Sequence, residues 1–594
     1  MGSHPFLLWF CPLGALIGVL SAPSGTSPAT QSIQLRTDDP ATPNDKSLRV
    51  RDGKELRILA IDDLTQGVQR MHPPPIHDPN RNGDARTSLL NLIGTTDLFA
   101  YSDDADRIEA DQIIDLIRTL VHSRSWDQEG SFMEIRDERL VVANDSKVLD
   151  DVELFLRALR QTARPWFEVR CVAWNGDGRK ISDTLTKPMT ADLLREIATG
   201  ASGQVILDSR TRCRANDPIR FSLLSQANYQ PDLDCEVAND ASIRDPKVRD
   251  FVTGTDVWLR IGVDPLQQGF VLSGIGVDRS LEDLDTKSLS PVNATVELAT
   301  LRQANSTFEV VCRGREGFHT RIGGLDVLFV VERMDPVAEP RSNVRLVPTR
   351  MLSTGALRHL AIYSENDDVA APTIVLGREE ADFEGIIDVL NSISRIDEDD
   401  NGYLSLTNGM LVMRASEDKL DLMTRFLTSW LGPVTKSFAI ELRREVDDGN
   451  GAYRTIGEPL RATSLAGKIA IACDGRVQDY VRDYNVEIAE KSSISDPIIS
   501  SYFTGMQIAS SVREYGDECL VDLFVLSREL SNTRHAGAPA EGLGAIDFPT
   551  TSDVSFSRTL RVRRGDDFVL GEGPKLRVGG RETRTRLVLK VREL

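Results

Sequence analysis

One composite pattern runs from Arg107 to Trp174, reading helix, strand, tight turn, strand, helix, strand, and the rest of the chain is organised around it. Ile113, Ile114, Ile117, Leu120 and Val121 recur at the spacing that gathers apolar side chains on one helix face. The turn Trp126-Asp127-Gln128-Glu129-Gly130 follows, then two short strands at 132–135 and 140–142. Asp145 or Ser146 caps the next helix by accepting an orphan N–H, and Val148, Val152, Phe155, Leu156 and Leu159 form its buried stripe. Pro165 stops that helix, and Phe167, Val169 and Cys171 alternate into a strand.

The pattern returns. GIIDVL at 385–390 answers QIIDLI at 112–117, and LVMRASEDKLDLMTRFLTSWL at 411–431 answers LVVANDSKVLDDVELFLRALR at 140–160. Between and after these stretches the apolar period changes to two. Strands are expected at 257–263, 296–299, 308–312, 325–331 and 587–591, with a short helix at 190–197. The β segments recur as well: NVEIAEKSSISDPIISSYFTG at 485–505 matches DCEVANDASIRDPKVRDFVTG at 234–254, with Ser-Ile-x-Asp-Pro and Thr-Gly at equal spacing. A duplication is therefore expected. The fold class that follows is α+β: two tandem copies of a small α/β sandwich, each followed by an antiparallel β module. The expected division is 1–21 leader, 22–53 disordered spacer, 54–174 first α/β domain, 175–335 first β module, 336–355 linker, 356–446 second α/β domain and 447–594 second β module.

Charge narrows the function. With 70 basic against 90 acidic residues the net charge is −20, which disfavours tracking a phosphate backbone. The apolar run from Pro5 to Leu20, followed by small residues, reads as the core and cleavage region of a secretory signal peptide, although the first basic side chain is Arg36. Export to the periplasm or cell envelope is expected. Six cysteines follow the leader (Cys171, Cys213, Cys235, Cys312, Cys473 and Cys519), an even count that permits disulfides but has no CxxC spacing for zinc. No later apolar run approaches the length of a membrane helix, and the strands are read as too short and too charged for a transmembrane barrel.

These repeats resemble the bacterial secretins, the outer-membrane ring proteins of type II and type III secretion. The carriers are the helix, strand pair and second helix of 116–159, the block ahead of Thr253-Gly254, and RIGGL at 321–325. The resemblance implies secretin N-domain-like α/β units followed by shortened C-domain-like β modules. The chain is expected to depart from that family in having no room for membrane-inserting hairpins, no pilotin-binding tail and no proline-rich core motifs.

No GxSxG elbow, Walker loop or HExxH occurs, so no catalytic, cofactor-binding or metal residues are assigned and no cofactor is expected. The reading is an exported, non-enzymatic, secretin-like protein. It acts through contacts with envelope or periplasmic proteins or through self-association of its α/β domains, with no nucleic acid and no transmembrane span. The alternatives are a component of a secretion-system secretin ring and, from another class, a secreted hydrolase with an unrecognised site. One string, Asp397-Glu-Asp399-Asp-Asn401-Gly402, fits the first half of a calcium loop, but its twelfth position is Asn408 where a bidentate Glu is required. Calorimetric titration of the mature chain with millimolar calcium is expected to give no saturable heat. A saturable heat that disappears in Asp399→Ala would overturn the acidic-turn reading.

Overall fold

The computed structural model describes residues 48–49, 54–65, 108–137, 139–175, 204–238, 241–266, 269–289, 294–313, 317–335, 343–349, 360–363, 373–376, 383–396, 402–407, 409–489, 492–536, 545–578 and 581–594. The expected helix at 190–197 and the acidic string at 397–401 lie outside them.

The first elements are β1 (Leu48–Arg49), β2 (Glu55–Ala60), α1 (Asp62–Thr65), α2 (Ala110–Leu120), β3 (Phe132–Arg136), β4 (Arg139–Asn144) and α3 (Ser146–Ala163). The strands form a four-stranded sheet in the order β1-β2-β4-β3. Gln112 accepts the Glu109 N–H at 3.2 Å, which satisfies one orphan donor where α2 begins. Ile113, Leu116, Ile117 and Leu120 of α2 share a core with Val152, Phe155, Leu156 and Leu159 of α3 and Leu140 and Val142 of β4. Leu116 lies off the stripe that the sequence predicts, yet it is fully buried.

The chain then becomes almost entirely extended. The next strands are β5 (Trp166–Asn175), β6 (Gln204–Arg214), β7 (Ile219–Ala238), β8 (Ala241–Val263), β9 (Gly269–Leu289), β10 (Ala294–Arg313), β11 (Gly317–Ile322) and β12 (Leu325–Arg333). β7 to β10 run as a meander of long antiparallel strands, and β11-β12-β5-β6 form a separate sheet packed against it. Phe167, Val169 and Cys171 of β5, Val257, Leu259 and Ile261 of β8 and Phe308 and Val310 of β10 meet in the core between the two.

β13 (Val344–Pro348), β14 (Leu360–Tyr363), β15 (Thr373–Leu376), α4 (Phe383–Ser394), β16 (Tyr403–Thr407), β17 (Met410–Arg414) and α5 (Glu417–Val434) come next. β13 falls inside the stretch read as a linker and pairs with β17 in the three-stranded sheet β13-β17-β16. The remaining strands are β18 (Ser437–Asp447), β19 (Tyr453–Leu465), β20 (Ile469–Ala489), β21 (Ser492–Tyr515), β22 (Glu518–Ala536), β23 (Ile546–Arg563), β24 (Asp567–Glu572), β25 (Leu576–Val578), β26 (Arg581–Thr583) and β27 (Thr585–Glu593). β20 to β23 form a second long meander, and the run β19-β18-β27-β24 lies against it through Phe438, Ile440, Ile508, Val512, Val525 and Leu589.

The expected α+β class of tandem α/β sandwiches is therefore corrected. Among the described residues the protein is mostly β, with several sheets and five helices. The sequence reading erred on strand length. The stretch 257–263 belongs to β8, which has 23 residues, and β21 has 24. Their polar halves, including Asp-Pro at 245–246 and 496–497, carry no clean alternation. They are extended because each long hairpin pairs its backbone almost to the tip: Pro246 faces Leu233 and Pro497 faces Tyr484. The argument from short strands against a barrel falls with this. Among the described residues no helix is long and apolar enough to cross a membrane, which says nothing about strands. Five of the cysteines expected to be able to form disulfides, Cys171, Cys213, Cys312, Cys473 and Cys519, are buried free thiols. Burial pushes Cys171, Cys213 and Cys473 up to about 12, so these thiols are inert fillers of the core.

Two glycines within the long strands hold backbone conformations that side-chain-bearing residues rarely adopt. Gly254 in β8 has φ +116° and Gly505 in β21 has φ +143°. A Cβ there would lie 2.1 Å from the Leu223 carbonyl oxygen or 2.3 Å from that of Asp474. Gly505→Ala is expected to destabilise by about 1–3 kcal/mol, read as a lower thermal or urea midpoint. Gly324→Ala, in the β11–β12 turn with open space around the position, should instead change stability by less than about 0.5 kcal/mol. Equal effects of the two substitutions would contradict the close-approach explanation.

Candidate assembly surfaces

The two long meanders are joined edge to edge. β10, the last strand of the first, pairs antiparallel with β20, the first strand of the second, in seven register pairs from Thr300↔Gln478 to Ser306↔Ala472. The result is one continuous run of eight long strands, β7-β8-β9-β10-β20-β21-β22-β23. Side chains secure the seam. Thr307 Oγ1 donates to the Ile471 carbonyl at 3.2 Å and accepts the Ile471 N–H at 2.7 Å. Beside it, Ser306 Oγ of β10 donates to the Arg461 carbonyl of β19 at 2.5 Å, and the Lys468 ammonium, just before β20, meets Glu309 of β10 at 2.6 Å.

The seam has two unlike faces. On one, Phe308 and Val310 of β10 and Ala470 and Ala472 of β20 turn toward the packed smaller sheets. On the other, Arg279 is buried and donates from Nε and Nη2 to Gln303 Oε1 at 3.1 and 2.6 Å. Burial pulls the Arg279 guanidinium down to about 10, so it stays charged at neutral pH. The neighbouring Asn305 amide is buried with no hydrogen-bond partner in the structure. A buried polar group left unsatisfied costs about 1–3 kcal/mol, so this face is not an optimised apolar core.

The eight-strand run ends in β7 and β23. Among the described residues, β7 has a strand only on its β8 side and β23 only on its β22 side. Ser222, Leu223 and 225–228 of β7 are exposed, as are Asp553, Ser555 and 557–559 of β23. Isolated edges are normally blunted by lysine, proline or a bulge. The stretch 222–228 (Ser-Leu-Leu-Ser-Gln-Ala-Asn) has no charge and no proline, and Asp553 is the one charged residue in 550–557. Beyond this stretch β7 is covered: the Tyr229 hydroxyl donates to Asp479 at 3.3 Å, and Leu233 packs with Val296, Leu298 and Val481.

A second joint lies among the helices. Leu411 and Met413 of β17 pack on α4 and α5, whereas Met410 and Val412 on the opposite face enter the core of α2 and α3. Leu346 of β13 and Tyr403 of β16 pack there as well, and Arg414 donates to the Thr119 carbonyl at the end of α2. The sheet β13-β17-β16 thus has helices on both faces, one pair of them from the preceding α/β unit.

No cluster of His, Cys, Asp or Glu able to hold a metal occurs among the described residues. The buried pair of His319 and Asp326, 2.9 Å apart with Trp174 over the imidazole, ties β11 to β12. The features the structure brings forward are backbone edges and sheet faces, which carry no residue motif. The one sequence signal that could have indicated them is the uncharged stretch 222–228.

No family model matches the chain, and no curated protein matches it. Solved structures similar to it include the InvG secretin domain β-barrel from the Salmonella injectisome, 12% identical, spanning 43% of this chain and 89% of that one with a TM-score of 0.19. The type II secretin XcpQ of Pseudomonas aeruginosa is 9% identical over 47% of this chain and 86% of its own, with a TM-score of 0.22. ExeD of Aeromonas hydrophila is 9% identical over 81% and 88%, with a TM-score of 0.19. These superpositions are loose, and the assembly of this chain rests on its own registers.

Proposed function

We propose that this chain is an exported cell-envelope protein built as a tandem duplication, and that its copies assemble head to tail by strand addition into the wall of a secretin-type ring. The observation that carries the reading is the β10–β20 seam, which joins the last strand of one meander to the first strand of the next. β7 and β23 are the same two strands at the outer ends of the run, and strand addition satisfies their backbone edges. The role is contact and assembly rather than catalysis, within a protein-secretion ring of the kind the sequence resemblance implies.

The register follows from the pairings. Gly254 lies opposite Leu224 and Arg279, and Gly505 opposite Gly475 and Arg528. Arg279 faces Gln303, and Arg528 faces Asp553. Gln303 therefore corresponds to Asp553, and Gly475 to Leu224. The seam pairs Gln303↔Gly475 and Ala304↔Asp474 become Asp553↔Leu224 and Val554↔Leu223 between copies.

Oxidising a mixture of the Val554→Cys and Leu223→Cys chains is expected to give a disulfide-linked dimer that neither chain gives alone. The double variant should give a ladder. Pairing Val554→Cys with Leu224→Cys, shifted by one residue onto the opposite face, should cross-link far less. Chains that keep their far-UV spectrum yet never cross-link in the first mixture would overturn the strand-addition reading.

A further inference from the structure

Beside the seam, three polar side chains are buried without the partners their chemistry calls for. Arg279 of β9 is 4% exposed, and Gln303 and Asn305 of β10 are 2% and 3% exposed. Nε and Nη2 of the guanidinium both converge on the single Gln303 Oε1, and among the described residues Nη1 makes no hydrogen bond. No carboxylate among those residues pairs with Arg279. Gln303 Nε2 and both polar atoms of the Asn305 amide are sealed from solvent and unpartnered. Two positions apart on one strand, Gln303 and Asn305 point to the same face. Phe503 closes that face beyond Gly475, the seam partner of Gln303: a Cβ on Gly475 would lie 2.4 Å from its ring.

The second meander supplies a comparison. In each meander a positive-φ glycine faces an arginine on the next strand, and that arginine faces a polar residue on the strand after. The first has Gly254, Arg279 and Gln303, and the second has Gly505, Arg528 and Asp553. Arg528 donates from Nε and Nη2 to the two Asp553 oxygens at 2.9 and 2.6 Å, and its side chain is 25% exposed. The arginine that water can screen therefore has a carboxylate, and the buried one has a neutral amide. Burial demands the reverse, because a guanidinium taken out of water is costly unless an anion is fixed beside it.

We infer that Arg279, Gln303 and Asn305 form a binding site for a small oxyanion that keeps one hydroxyl, of the hydrogenphosphate class. Nη1 of Arg279, Nε2 of Gln303 and the Asn305 NH2 are donors for the charged oxygens, and the Asn305 carbonyl oxygen is an acceptor for the ligand O–H. Exchanging O and N of the Asn305 amide leaves this count unchanged, since neither atom has a protein partner. Gln303 and Asn305 pair across the seam with Gly475 and Cys473, so an anion held there steadies the junction of the two meanders. The site belongs to the single chain and does not depend on how copies meet.

The test titrates the full mature chain at neutral pH with sodium phosphate, and in parallel with sodium sulfate and sodium chloride at matched ionic strength. Phosphate should give a saturable calorimetric heat and a saturable rise in thermal midpoint. Sulfate stabilises proteins generally by exclusion from their surface but carries no hydroxyl at this pH, so it should saturate neither signal. Arg279→Met should weaken phosphate binding at least tenfold. Gln303→Glu, of the same shape, supplies the missing charge from within the chain. It should abolish the phosphate heat and raise the midpoint measured without phosphate, and it keeps the test decisive if the methionine variant does not fold. Asp553→Asn, at the exposed pair of the other meander, should leave phosphate binding unchanged. The site is overturned by no saturable phosphate heat in the wild-type chain, by an equal response to sulfate, or by phosphate binding that survives Gln303→Glu.

Discussion

The seam between β10 and β20 is the contact on which the rest of the architecture depends. Seven residue pairs of backbone ladder turn two separate meanders into a single run of eight long strands. Each meander presents one apolar face to a smaller group of strands far apart in sequence: β5 and β6 with β11 and β12 in a separate sheet, and β18 and β19 with β24 and β27, which join the large sheet through the β10–β19 pair Phe308↔Thr463. The smaller sheets hold each meander's ends together, and the seam holds the two meanders to each other. Ladder hydrogen bonds suit this role because they need only extended backbone, and the polar side chains at Gln303 and Asn305 could not hold a seam by burial alone.

A joint of this kind is directional. The surfaces that meet at the seam are different, and so are those that meet where α2 packs on the β13-β17-β16 sheet. A heterologous contact leaves one unused half at each end of the molecule, and repetition yields either a closed ring or an open filament. The two joints run the same way along the chain. The β10–β20 junction lies within one chain, which removes its association entropy.

The local elements were legible in the sequence where a short, strongly periodic run met a capping or stopping residue. α2 with Ile113 and Ile117, α3 with Val152, Phe155 and Leu159, and the alternation of Phe167, Val169 and Cys171 in β5 are all read from spacing, because burial of one face imposes the period. The matched strings QIIDLI and GIIDVL, and SIRDP and SISDP, are likewise properties of the sequence alone.

Tertiary structure decided the rest. The extended state of the polar halves of β7, β8, β20 and β21 has no local cause. Segments containing Asp-Pro and runs of serine become strands because a partner strand is present to take up their backbone groups, and partnering is not written in any short window. The core of α2 and α3 is completed by Met410 and Val412, brought from nearly three hundred residues away in the chain. The candidate surfaces were hidden for the same reason. A strand edge is defined by which neighbour is absent. The sequence determined which side chains are apolar and how they recur, and only the folded chain determined which of those faces found a partner.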